Sequence, residues 1–148
     1  MGQARRDRSA AARHEAGHAV MALALGHDVL DVRLSRSGST GVMRRAPAEP
    51  PGCIMERGMI AAAGAVAEHG YSEEPLFDAA DFEDMRGMGF GGNACATLYM
   101  LARAQLVPLE AAVEHLADRL EVLGALKGEA LVSTLVRVRA LIKSASDA

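Results

Sequence analysis

The sequence predicts a compact, mainly α domain of the α+β class, with one small β-hairpin and a C-terminal helical bundle. Composition is the first observation behind this prediction, because the 148 residues include 29 alanines but only two tyrosines, three phenylalanines and no tryptophan. Alanine is the strongest helix former, whereas strands favour aromatic and β-branched residues. The second observation is that apolar residues recur every three or four positions over most of the chain, which is the period of a helix.

Length and charge favour one globular domain, which we place at residues 9–143. Half of the residues are apolar, and a chain of this size can bury a core without disulfides. Cys53 and Cys95 lie far apart and are expected to be reduced thiols of a cytoplasmic protein. The net charge of −3 argues against nucleic acid as a partner. The apolar run at 19–25 is too short for a membrane segment or a signal peptide.

The first helix is predicted at about residues 10–25. Ser9 is a suitable N-cap, and Gly26 can adopt the left-handed conformation that often follows a helix. Residues 1–8 are basic and are expected to form a flexible arm. Residues 144–148 are expected to be a frayed tail.

A β-hairpin is predicted to follow the first helix. Leu30, Val32 and Leu34 alternate with polar residues, which is typical of a strand with one buried face. The chain can turn at 37–39 and return as a second strand at 40–45. Three prolines are expected to end the hairpin: Pro47, Pro50 and Pro51.

Helices are predicted for most of the remaining chain, at about residues 53–69, 78–86 and 93–106, then from Pro108 and again after a turn at 127–128. The last two helices carry narrow apolar stripes, which favour pairing within the chain, with a homo-oligomer as the alternative. The stripes consist of Leu109, Val113, Leu116, Leu120 and Leu123, and of Leu131, Leu135, Val138 and Ile142.

The segment His14-Glu15-Ala16-Gly17-His18 carries the strongest chemical signal. Residues four apart on a helix lie only about 40° apart in projection, so His14 and His18 share a face and can hold one zinc ion. Glu15 lies about 100° around the helix, where it can take a proton from a metal-bound water. Zinc sites that hydrolyse bonds need this arrangement, with a coordination position left open for water or substrate.

A hydrolytic zinc site needs a third protein ligand. Spacing along the chain restricts the candidates to two polar clusters. The first cluster is Glu68 with His69, and the second is the acidic stretch that contains Asp78, Asp81 and Asp84. These three aspartates are spaced by three residues and drift around a helix by about 60° per step, so at most one or two can face a metal on the first helix.

Four segments resemble the peptidase domain of the FtsH-type ATP-dependent zinc proteases. They are HEAGHAVMALALGHDVLDVRLSRSGSTGVM at 14–43, AAAGAVAEHG at 61–70, AADFEDM at 79–85 and LGALKGEAL at 123–131. They occur in the same order as in that family. The likeness extends over about residues 10–135, and it implies a zinc-metallopeptidase domain.

The resemblance assigns roles to individual residues. It implies that His14 and His18 are zinc ligands and that Asp81 is the third. Glu15 matches the catalytic base. Glu68 falls on the first glutamate of the family's second block, and we interpret it as a residue that holds a ligand histidine by its free ring nitrogen.

The family's ATPase signature, GxxxxGK[ST], does not occur in this sequence. We therefore expect the peptidase domain alone, with an ATPase partner supplied in trans as an open alternative. The family's membrane anchor is also not expected here.

The predicted function is that of a zinc-dependent endopeptidase acting on a peptide or unfolded protein. The substrate is expected to lie extended beside the strand at 40–45, where Gly41, Val42 and Met43 would bind it. One alternative is a regulatory protease that cuts a single partner or repressor. Another is a non-catalytic binding domain that keeps the fold; the presence of Glu15 argues against it, because a purely structural zinc site needs no base.

Overall fold

The structure is a computed structural model that describes residues 2–38, 40–46, 53–77 and 79–147, with side chains from Asp7 onward. The prolines predicted to end the hairpin and the candidate ligand Asp78 lie outside these ranges. The helices are α1 (Gly2–Ala24), α2 (Ile54–Glu68), α3 (Ala79–Gly87), α4 (Gly92–Leu106), α5 (Glu110–Leu123) and α6 (Gly128–Ser146), with a short 3-10 helix at Val107–Leu109. The strands are β1 (Val29–Leu34), β2 (Gly41–Arg45) and β3 (Ala125–Leu126). This mainly helical arrangement with a small antiparallel sheet confirms the predicted fold class.

Helix α1 lies at the centre of the molecule and packs against α2, α5 and the sheet. Its inner face is lined by fully buried small residues, among them Ala12, Ala16 and Ala19. Gly17 allows the closest approach, since a Cβ atom at this position would lie 2.5 Å from the carbonyl oxygen of Ala63 on α2. Small side chains therefore bring the backbones of α1 and α2 into direct contact.

Helix α1 begins at Gly2, earlier than predicted, and includes residues 2–8 of the segment expected to form a flexible arm. Ser9 is consequently inside the helix and does not cap it. Its hydroxyl accepts a hydrogen bond from Arg13 Nη1 at 2.8 Å. The predicted C-terminal end of α1, at about residue 25, is close to the observed end at Ala24. Gly26 has the expected left-handed conformation, with φ +88°. At the other end of the chain, α6 extends to Ser146 and includes part of the predicted frayed tail.

The sheet has three strands in the order β2-β1-β3, all antiparallel. A bulge at Leu30 interrupts the pairing of β1 with β2 between Val29 and Asp31. Because of this extra residue, Val29 is buried and Leu30 is 48% exposed, so the prediction that Leu30 faces the core is wrong. Strand β3 was not predicted, since two residues are too few to show a periodic pattern.

The C-terminal helices pair within the chain, as the apolar stripes predict. Helix α5 packs against both α1 and α6, and the stripe residues from Leu109 to Leu120 are buried. Leu123 differs, with 45% of its surface exposed, because the helix ends there and Gly124 turns the chain with φ +76°. Pro108 lies in the 3-10 helix instead of the first turn of α5.

Among the described residues, no helix has both the length and the apolar character needed to cross a membrane.

Candidate metal centre

Helix α1 presents His14, Glu15 and His18 on one turn beside α2 and β2. The two imidazole rings meet edge to face, with centroids 4.6 Å apart. Their side chains are largely buried, at 11% and 12% exposure, and Glu15 is 5% exposed. Helical periodicity alone accounts for this grouping, as the sequence predicts.

Asp81 reaches the two histidines from the first turn of α3. Its Oδ2 atom lies 2.8 Å from His14 Nε2, and its Oδ1 atom lies 3.7 Å from His18 Nε2. One potential ligand atom from each of the three residues falls within a group whose members are all within 4.8 Å of one another. Of the candidates for a third ligand that the structure describes, only Asp81 belongs to this group.

The donor set of two imidazoles and one carboxylate fits zinc, which accepts such ligands in hydrolytic sites and retains an open position. Two ligand atoms of a tetrahedral zinc ion lie roughly 3.3 Å apart for metal–ligand bonds of about 2.0–2.1 Å. The two measured separations between Asp81 and the histidines, 2.8 Å and 3.7 Å, bracket this value. Both separations therefore lie close to those expected around a zinc ion.

Helix α2 orients both imidazoles through their second ring nitrogens. Glu68 Oε1 lies 2.9 Å from His14 Nδ1, and the carbonyl oxygen of Ile60 lies 2.6 Å from His18 Nδ1. Partners of this kind hold the ring in place and direct the other nitrogen, Nε2, toward the metal. Glu68 thus contacts His14, and it is not part of the group of potential metal ligands.

The electrostatic environment of His14 is strongly negative. Burial by itself lowers the pKa of His14, but hydrogen bonds to Asp81 and Glu68, together with the charges of Asp81 and Glu15, outweigh burial and raise the pKa to about 10. The hydrogen bond from His14 in turn lowers the pKa of Glu68. The raised pKa favours the protonated form of His14, and a metal ion would compete with that proton.

Gly64 on α2 lies directly beside the two imidazoles. A Cβ atom at Gly64 would lie 2.5 Å from His18 Nε2 and 2.7 Å from His14 Nε2. These two nitrogens are the predicted metal-binding atoms. Only glycine leaves this space open beside the two imidazoles.

The site opens into a cleft of about 340 Å³. Its lining includes the predicted substrate-binding residues Gly41, Val42 and Met43, and also Asp84. Asp84 faces the cleft without joining the metal-binding group. His69, the remaining ligand candidate, is exposed and lies 3.5 Å from Glu68.

Sequence reasoning did not identify Ile60 or Gly64 as parts of the site. Ile60 contributes a backbone carbonyl, and a backbone contribution leaves no mark in the residue type. Gly64 did carry a signal, since it interrupts a run of alanines in a predicted helix interior, where glycine is unfavourable by about 1 kcal/mol relative to alanine. A glycine at such a position leaves room for the close approach of another group.

Replacing Glu68 by glutamine is expected to weaken zinc binding by about 10- to 100-fold, the usual effect of losing a residue that orients a ligand. The amide keeps the size of the side chain but removes the negative charge beside His14 Nδ1. The measurement is a competition titration against a chromophoric chelator. Glu56→Gln, in the first turn of the same helix, is the matched control and should leave the affinity unchanged. Equal affinities for the two variants would contradict the assigned contact.

Comparisons of the chain with protein-family models, with curated proteins and with solved structures give no match.

Proposed function

We propose that this protein is a zinc-dependent endopeptidase, similar in its site to the peptidase domain of the FtsH-type proteases. The observation that carries the proposal is the convergence of His14, His18 and Asp81 in an open cleft, with the buried carboxylate of Glu15 beside them. A purely structural zinc site is normally closed by four protein ligands. Here three candidate ligands and a potential base face a cleft that can admit a peptide.

In this proposal His14, His18 and Asp81 hold the ion. When bound, zinc would act as a Lewis acid that polarises a peptide carbonyl and lowers the pKa of water, so that the water can lose a proton and attack the carbonyl near neutral pH. Glu15 accepts the proton of the attacking water and then passes it to the nitrogen of the leaving amine. Glu68 and the Ile60 carbonyl keep the two imidazoles in their orientation.

Strand β2 offers a backbone template for an extended substrate. It pairs with β1 on one side and has no other strand partner among the described residues. The amide of Leu34 donates to the Gly124 carbonyl, on the β3 side of β1. In an antiparallel pair the residue opposite Leu34, which is Gly41, must then direct its own N–H and C=O away from β1. Met43, two residues further on, has the same orientation.

Gly41 and Met43 therefore present their backbone donors and acceptors at the open edge of the sheet, along the wall of the cleft. An extended peptide can add to this edge by main-chain hydrogen bonds, which accept many sequences because they do not involve side chains. This mode of binding suits peptides and unfolded proteins as substrates.

Cys53 and Cys95 are both free thiols, which supports a reducing compartment such as the cytoplasm.

The test of this function is to measure bound zinc and peptide hydrolysis on the same preparations of the wild-type protein and of Glu15→Gln. We expect about one zinc ion per chain in both, and at least about a 100-fold lower rate of hydrolysis for the variant, because an amide cannot accept the proton. Glu83→Gln, which changes an exposed carboxylate on α3, is the control and should retain full activity. Equal rates for wild type and Glu15→Gln would refute the mechanism, and zinc binding without hydrolysis would favour a binding domain instead.

A further inference from the structure

Arg8 lies where three segments of the chain meet. Its Nε and Nη2 atoms donate hydrogen bonds to the carbonyl oxygen of Glu121, at 2.9 Å and 2.6 Å. Glu121 belongs to the last turn of α5, whose carbonyls have few partners within the helix. A guanidinium at this end of a helix is also favoured by the helix dipole. Arg8 thereby joins the N-terminal part of α1 to the C-terminal end of α5.

The turn between β1 and β2 packs against the side chain of Arg8. Gly38 has a φ of +77°, and a Cβ atom there would lie 3.3 Å from both Cγ and Nη1 of Arg8. The turn is closed by hydrogen bonds from the amide of Gly38 to the Ser35 carbonyl, at 2.9 Å, and from the amide of Ser35 to the Thr40 carbonyl, at 2.7 Å. The position of Arg8 therefore constrains the point at which β2 begins.

Strand β2 also contacts α1 at the candidate catalytic base. A Cβ atom at Gly41 would lie 2.7 Å from Cγ of Glu15. Arg8 and Glu15 are seven residues apart, close to two helical turns, so they lie only about 20° apart around α1. One face of α1 therefore supports the hairpin at two points, the turn at Gly38 and the strand at Gly41.

We propose that Arg8 is a positioning residue for the substrate-binding strand. It fixes the distance between the open edge of β2 and the turn of α1 that carries His14, Glu15 and His18. This proposal rests on the proposed function for its consequence, which is that Arg8 controls the affinity for an extended peptide without contacting the peptide or the metal. A hairpin that fluctuates would lose more conformational entropy when a peptide adds to its edge, and this loss would weaken binding.

The experiment compares Arg8→Ala with Arg13→Ala in protein that also carries Glu15→Gln and is loaded with zinc, so that the probe is bound but not cut. Arg13 is a matched control because it lies on the same helix and bonds to Ser9 of that helix. The probe is a fluorescein-labelled, reduced and carboxymethylated protein, and binding is followed by fluorescence anisotropy. Zinc affinity and the thermal midpoint of unfolding are measured on the same variants.

We expect Arg8→Ala to weaken probe binding by about tenfold or more relative to Arg13→Ala, with zinc affinity unchanged within about twofold. Arg8→Lys keeps an aliphatic stem beside Gly38 and a positively charged donor group. It should therefore restore part of the affinity for the probe. Equal probe affinities for Arg8→Ala and Arg13→Ala would overturn the proposal. A parallel loss of zinc affinity would also overturn it, since Arg8 would then only support the fold.

Amide hydrogen exchange separates this proposal from the proposed function. The amide of Val42 is directed toward β1 and is protected only while the hairpin is in place. If the zinc-loaded protein binds no probe at all, the proposed function fails. Arg8→Ala should still accelerate the exchange of the Val42 amide relative to Arg13→Ala, and unchanged exchange would refute the positioning role.

Discussion

Replacing Asp81 by alanine is expected to lower zinc affinity by at least about 10³-fold, equivalent to roughly 4 kcal/mol. The carboxylate lies within 3.7 Å of the Nε2 atoms of both histidines, and its removal leaves only two protein ligands for the ion. Loss of a residue that merely orients a ligand usually costs about 10- to 100-fold, so the two roles are distinguishable. The measurement is a zinc titration in competition with a chelator of known affinity.

Asp84→Ala is the matched control for this prediction. Asp84 lies on the same helix, one turn beyond Asp81, and lines the same cleft outside the metal-binding group. Its loss should change zinc affinity by less than about threefold, since it alters only the local electrostatic field. Near-wild-type affinity for Asp81→Ala would exclude Asp81 as a ligand. A large loss for Asp84→Ala alone would move the third ligand to that position.

Gly64→Ala is expected to prevent zinc binding through one added methyl group. The new Cβ atom would lie 2.5 Å from His18 Nε2 and 2.7 Å from His14 Nε2, well inside ordinary van der Waals contact. The imidazoles can avoid the methyl group only by leaving the positions in which their Nε2 atoms lie beside Asp81. The expected result is a protein whose zinc content falls below about one tenth of the wild-type value, an effect comparable to loss of a ligand.

A second glycine on α2 provides a comparison for Gly64→Ala. A Cβ atom at Gly58 would meet the side chains of Leu98 and Phe90 at 2.7 Å and 2.9 Å, away from the histidines. Gly58→Ala should therefore reduce stability by overpacking, typically by about 1–3 kcal/mol, and keep its zinc. Circular dichroism shows whether each variant is folded at the temperature of the zinc measurement. It therefore separates misfolding from a specific loss of zinc binding. Full zinc content in a folded Gly64→Ala protein would refute the steric argument.

The sequence by itself determined the local features of this protein. The spacing of His14 and His18 brings their rings together because a helix turns once in about 3.6 residues, and no contact with another element is needed for this grouping. The helical class followed from the alanine content and the apolar periodicity for the same reason. The strand at 40–45 and the left-handed Gly26 are also local, since alternation and turn chemistry act over a few residues.

Tertiary structure decided which distant residues meet the histidines. Three aspartates share one acidic stretch, and only the docking of α3 against α2 places Asp81, and not Asp84, against the imidazoles. The resemblance to a known family singled out Asp81, whereas the spacing alone left it among several candidates. Contacts that use the backbone, such as the Ile60 carbonyl on His18, leave no trace in residue type.

The errors in the sequence-based predictions have the same physical origin. Helix α1 was predicted to begin at about residue 10 but begins at Gly2, and in this added part Arg8 donates a hydrogen bond to the carbonyl of Glu121, 113 residues away. Leu30 faces outward because a bulge shifts the pairing of two strands, and β3 exists because it adds to β1. Short-range patterns therefore determined the helices and the pairing of the two histidines. Long-range packing decided the approach of Asp81, the space beside Gly64 and the position of the strand that borders the cleft, because these depend on contacts between segments that local periodicity does not encode.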